Sequence, residues 1–242
     1  MLIHSNATRL NAHPCLRTCI SMPEDQNRLL QYTGDSIWNY FRRAQLEFYT
    51  GNFQDAIDIA LPVSEKLTAK VLEENQRYAS IFAVLGESNM LLGRYDESYK
   101  YYKRFVEIAD SVNWPIPYHK MNIAFIFSEN GQTDRALELI GQQIDLSEHS
   151  ITENQGNRGA HYRYLAEAYM LKQDTEKAIF YLKLLSQQEK MNLVADMTCD
   201  YPAFKGIKNN PEFIRISDQI HAKYLEEQER VREWLTENDI LQ

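Results

Sequence analysis

The chain has 242 residues, of which 44% are hydrophobic and 25% charged, a balance that suits a globular protein with a substantial core. A net charge of -8 and a pI near 5.3 exclude a nucleic-acid binder, because phosphate contacts need clustered Lys and Arg that this balance does not supply. No apolar run reaches the roughly 18 to 20 residues that cross a bilayer, the longer ones being short stretches such as Ile123 to Phe127, so a soluble protein is expected.

Residues 1–22 carry two arginines, several Ser, Thr and Asn, and no acid. They lack the continuous apolar segment of a secretory signal and read as a flexible tail, with Met22 an alternative start and a transit peptide a competing reading. His13, Cys15 and Cys19, with His4 nearby, have metal-ligand character, but a structural zinc site needs four convergent ligands in well-formed pairs, which this spacing does not give. Three cysteines, with Cys199 the third, make an odd number without a disulfide spacing and point to a reducing, cytoplasmic compartment. Residues 23–35 read as a capping segment, with a short helix over Glu24 to Tyr32.

From residue 36 a repeat governs the chain. Four turns align, "GNFQDAI" at Gly51, "GRYDESY" at Gly93, "GQTDRAL" at Gly131 and "QDTEKAI" at Gln173. The small residues that follow them, Ala56, Ser98, Ala136 and Ala178, recur at 42, 38 and 42 residues. A second small residue lies upstream of each turn, at Ala44, Gly86, Ala124 and Ala166, with apolar neighbours at helical spacing: Tyr40; Phe82 and Leu85; Ile123; Tyr162, Leu165 and Tyr169. Each unit thus reads as helix, tight turn, helix, with the small residues where two helices cross. The glycines of "LGESNMLLGRYDES" could instead suggest a phosphate loop, but no Lys-Ser/Thr pair follows them and no strand precedes them.

This pattern resembles the tetratricopeptide repeat family. The second unit supplies Phe82, Leu85, Gly86, Gly93, Tyr95, Ser98 and Tyr102, departing at Asn89 and Ser98; the fourth supplies Tyr162, Leu165, Ala166, Tyr169, Ala178 and Leu182. Unit one departs at Arg43 and Glu47, and unit three at Lys120. The resemblance implies an all-α, right-handed α-α superhelix, a solenoid of about four helical hairpins at 36–72, 78–112, 117–149 and 159–190, closed by capping helices over 191–242. The family's proline near the end of the second helix is missing from every unit. Longer second helices would explain both that absence and the stretched period, while Pro115 and Pro117 stop one helix before the next unit.

After the fourth unit, "YPAFKGIKNNPEFIRI" from Tyr201 to Ile216 resembles the segment that closes tetratricopeptide arrays in some cyclase-associated and transcription-regulator-associated proteins. An array has to end in something that buries its last apolar face. A final amphipathic helix is predicted over Pro211 to Glu237, with Ile214, Ile220, Tyr224, Val231, Trp234 and Leu235 among charges.

The family resemblance also implies a partner surface, since first helices line the concave face of such arrays. Transferred by register, that face holds Trp38, Phe41, Gln45 and Phe48 from unit one, and Glu87 and Met90, with Ser80 and Ala83, from unit two. Tyr118, Met121 and Phe125, with Ser128, come from unit three, and Arg163, Glu167 and Met170, with Ala160, from unit four. Such a groove is aromatic and methionine-rich with few charges, as peptide grooves often are; packing between neighbouring first helices is the competing role for the same residues. The family's carboxylate clamp for heat-shock chaperone tails is not expected, because Phe41, Gln45, Val84, Tyr118 and Asn122 stand at its positions. His119, His149, His161 and His221 are scattered, and Glu226 to Arg230 reads as a solvated helix face. The expectation is a non-catalytic scaffold or adaptor, without cofactor or metal, binding a protein or peptide, and neither nucleic acid nor membrane. The alternatives are a peptide-sensing regulatory protein of the same family, or the regulatory region of a signalling or transcription system.

Overall fold

The computed structural model describes residues 36–114, 116, 119–153, 157–189 and 199–237, which are helix, turn and loop without a strand. The chain divides into two compact bodies, Met1–Ile116 and Pro117–Gln242. In the first, α1 (Ser36–Tyr49) pairs with α2 (Phe53–Ser64), a short α3 (Ala69–Glu74) and a 3-10 turn (Gln76–Ala79) follow, and α4 (Ser80–Leu91) pairs with α5 (Tyr95–Ser111). In the second, α6 (Lys120–Glu129) pairs with α7 (Thr133–Thr152) and α8 (Arg158–Leu171) with α9 (Thr175–Ser186); a 3-10 helix (Pro202–Ile207) and α10 (Pro211–Glu237) close the body.

The four hairpin turns have one geometry. After α4, Gly93 N–H donates to Met90 O at 3.0 Å and Arg94 N–H to Asn89 O at 2.9 Å, with Gly93 at φ 75°. These are the paired bonds of a Schellman end, which satisfies the last helical carbonyls through a left-handed residue. Gly51 (φ 80°) and Gly131 (φ 75°) repeat it, and Gln173 (φ 62°) adopts it without glycine's freedom. The second helices then start with acids that favour a helix N-terminus, Asp55, Asp96 with Glu97, Asp134 and Glu176. Asp174 adds a side-chain cap, accepting from Lys177 N–H at 3.1 Å.

Each hairpin closes on its small residues. Ala44, Ala56 and Ala60 are fully buried between α1 and α2, and Ala166, Ala178 and Leu182 between α8 and α9; Ala124, Ala136 and Ile140 play that part in α6–α7. Between α4 and α5, Ser98 Oγ donates to Gly86 O at 2.7 Å and the buried Tyr102 ring lies against Gly86, where an added Cβ would fall 2.7 to 2.9 Å from ring carbons. Gly86 is therefore needed for close approach, and Gly93 for its backbone angle.

The stretched period has two sources rather than one. In the second body α7 runs for 20 residues, so a longer second helix accounts for it there. In the first body α2 ends at Ser64, two residues after Pro62, so this second helix does carry a proline near its end, and α3 with the 3-10 turn fills the interval that the sequence reading gave to a longer helix. Ser64 Oγ bonds back to Leu61 O, then Thr68 caps α3 and Asn75 caps the 3-10 turn, so polar side chains restart the helix twice.

Candidate functional site

In the first body, α1 and α4 are the first helices of their hairpins and pack side by side. Trp38 is half-buried near the start of α1, its ring 4.9 Å from Phe41 and its face covered by the Arg42 guanidinium at 5.3 Å. Gln45, two turns on, is also half-buried, whereas Phe41 and Phe48 are buried, Phe48 against Phe53. The sequence of α4, "SIFAVLGESNML", is apolar or small around most of its circumference, and every residue from Ile81 to Met90 is buried. Glu87 is 7% exposed and Met90 1%.

In the second body, α6 and α8 have the same relation. Met121 is buried, Phe125 is half-buried one turn later and Ser128 is exposed at the end of α6. On α8 the fourfold spacing of Arg163 and Glu167 makes a buried ion pair at 2.8 Å, with side chains 8% and 2% exposed, and the Arg163 guanidinium lies 4.2 Å over the Tyr164 ring. Met170, two turns beyond Arg163, is half-buried.

Of the residues assigned to a partner surface from sequence, Trp38, Gln45, Phe125 and Met170 keep partial exposure. Phe41, Phe48, Glu87, Met90, Met121, Arg163 and Glu167 are packed, and Tyr118 lies outside the described residues. These first helices bury more polar groups than the sequence reading held, Glu87 in the first body and Asn122 and the Arg163–Glu167 pair in the second. An i,i+4 pair is visible in a sequence; its burial is not, because burial depends on neighbouring helices.

Two clusters escaped the sequence reading. Between α7 and α8, Gln143 Nε2 donates to Ser147 Oγ at 3.0 Å, and Ser147 Oγ lies 3.4 Å from His161 Nδ1. Burial pushes the His161 imidazole below the ordinary histidine value. Between α8 and α9, Tyr169 stacks on Tyr181 at 5.7 Å and Tyr162 on Tyr181 at 6.4 Å, with Lys177 over Tyr169 at 4.8 Å. Tyr169 Oη donates to Glu148 at 3.3 Å, and burial first, then this carboxylate, holds the Tyr169 phenol above its usual value. The sevenfold spacing of Tyr162 and Tyr169 was the signal in the sequence that could have found it.

Among the described residues no group of three or more His, Cys, Asp or Glu is placed to hold a metal ion, and no helix is long and apolar enough to cross a membrane. His13, Cys15 and Cys19 lie outside the described residues, and Cys199 is buried. The acidic run on α10 is a paired surface, Arg230 with Glu227 and Arg232 with Glu229.

Residues 79–111, the span of α4 and α5, match the tetratricopeptide repeat family model. Among solved structures, the chain is similar to a point-substituted form of a Podosopora anserina putative kinesin light chain with nearly identical TPR-like repeats, at 17% identity and a TM-score of 0.44, over 82% of this chain and 95% of that one. A second structure of those repeats gives 16% identity and a TM-score of 0.43, over 82% and 96%. No curated protein matches. Neither likeness bears on what the chain binds.

Proposed function

Taking the chain as a tetratricopeptide repeat protein, we propose that it is a non-catalytic adaptor that binds protein or peptide segments on the first-helix face of each body. The observation that carries this reading is the selective exposure along those helices. Trp38 and Gln45 on α1, Phe125 on α6 and Met170 on α8 are half-exposed, while Phe41 and Phe48 on α1, Met121 on α6 and Arg163 and Glu167 on α8 are packed. Aromatic rings have few rotatable bonds to lose on binding, and the adaptable Met170 thioether can fit irregular partner surfaces, both of which favour affinity. Three cysteines without a disulfide spacing favour a reducing compartment, and the cytoplasm is the proposed location.

The test is selection of peptides from a displayed library against the full chain, with the Trp38→Ala and Phe125→Ala variants counter-screened. Peptides that lose at least about tenfold in affinity for one variant, roughly 1.4 kcal/mol, support the face containing that residue. Peptides whose affinity is unchanged by both variants would place binding elsewhere on the chain. Phe41 is unsuited to this test, since truncating a buried phenylalanine costs about 3 to 5 kcal/mol of stability and confounds the readout.

A further inference from the structure

The closing helix α10 is longer than the helix it covers. At about 1.5 Å per residue its 27 residues span about 40 Å, against about 18 Å for the 12 residues of α9. Its contacts with α9 run from Glu212, which pairs with Lys183 at 2.7 Å, to Lys223, whose Nζ donates to Ser186 O at 2.7 Å and Gln188 O at 3.0 Å. Over that first half it buries Phe213, Ile216, Ile220 and Tyr224.

The same seam continues past the covered half. Phe213, Ile220, Glu227 and Trp234 recur every seven residues, and Ser217, Tyr224 and Val231 recur every seven residues between them. This alternation of three and four is the spacing that seats one helix on another. Beyond Tyr224 the seam surfaces, with Val231 43% and Trp234 55% exposed. One flank of this seam is acidic, with Glu226, Glu233 and Glu237 around Arg230, and Glu227 lies in the seam itself; both arginines of this half are paired along the helix, Arg230 to Glu227 and Arg232 to Glu229.

We propose that the distal half of α10 is a second docking surface, separate from the first-helix faces, and that its occupant is a basic amphipathic helix of a partner protein. An apolar seam with two bulky anchors calls for a helix bearing apolar residues at i, i+3, i+4 and i+7. The seam carboxylate Glu227 and the acidic flank beside it call for Lys and Arg along one side of that stripe. A second copy of this chain fits less well, because it would bring the seam carboxylate Glu227 against its own counterpart, in a protein whose overall charge is already -8.

The probe is a synthetic Lys/Arg-rich peptide with leucines at helical spacing, paired with a Glu-rich peptide of the same apolar pattern, titrated into the full chain by fluorescence anisotropy. The expected result is binding of the basic peptide alone, weakened at least tenfold by Trp234→Ala and unchanged by Leu225→Ala, which alters an exposed residue on another side of α10. Circular dichroism should be unaltered in both variants. Equal affinity for the native chain and Trp234→Ala would overturn the proposal. So would a molecular mass that doubles with concentration through Trp234, which would make the occupant a second copy.

Discussion

The hairpin α4–α5 sets a glycine against a tyrosine, whereas α8–α9 sets an alanine against a leucine. Gly86 and Tyr102 are sixteen residues apart, as are Ala166 and Leu182, so the two pairs occupy one position in the repeat. Ala124 with Ile140, and Ala44 with Ala60, fill it in the other hairpins. The bulkiest partner faces the residue without a side chain. In α4–α5, α6–α7 and α8–α9 the contact therefore holds a similar combined volume shared by two residues, which the smaller Ala44–Ala60 pair does not match, and either residue alone is a poor marker of the repeat.

Breaking the tighter version should give the largest effect. Gly86→Leu drives a branched side chain into a ring whose carbons lie within 2.9 Å of where even a Cβ would stand, and Tyr102 is fully buried, so relief must come from the helices. A loss of about 3 kcal/mol or more is expected in urea unfolding. A smaller but more diagnostic effect comes from converting one contact into the other. Gly86→Ala alone should cost about 1 to 3 kcal/mol, and in a Tyr102→Leu background it should cost close to nothing, a coupling of about 1 to 3 kcal/mol. Additive losses would show that the shared-volume account is wrong.

The turns give a gentler comparison. At Gly93 a Cβ would meet no atom within 4 Å, so Gly93→Ala is opposed only by its backbone angle, at about 1 kcal/mol. Gln173 bears that strain already, and Gln173→Gly should raise the melting temperature, with a gain of about 0.5 kcal/mol. The smallest effect is in pH dependence. Body two has a polar chain between α7 and α8 where α2, in body one, buries Phe53, Ile57, Ala60 and Val63. Because burial depresses the His161 pKa in the folded state, the unfolded state takes up the proton more readily as pH falls. Stability should therefore drop on acidification through the ordinary histidine range, near about 6.5, and His161→Gln should flatten that drop.

Much of this architecture was legible because its signals are local. A glycine at a left-handed helix end and small residues at fixed offsets from it leave marks that survive in a single sequence, and they located four turns, Gln173 included. The helix over Pro211–Glu237 was equally legible from its apolar spacing. The restart of helix at α3 was not, since it depends on side-chain bonds from Ser64, Thr68 and Asn75 that a hydrophobic pattern does not register. The burial of the residues assigned to the proposed surface was not legible. Register put Met90 and Glu167 on the same face as Trp38 and Met170, yet the first two are nearly inaccessible and the second two are half-exposed. Exposure depends on what lies against a helix, and single-chain periodicity carries no information on that.

The first and second helices of body two offer the most direct test of the functional reading. Phe125 lies half-exposed on the first helix α6, and Phe180 is 53% exposed on the second helix α9. Calorimetric titration of a library-selected peptide into the full chain, Phe125→Ala and Phe180→Ala compares the two faces with the same chemical change. A first-helix site predicts about tenfold weaker binding for Phe125→Ala and native affinity for Phe180→Ala. Native affinity in Phe125→Ala together with lost affinity in Phe180→Ala would contradict it.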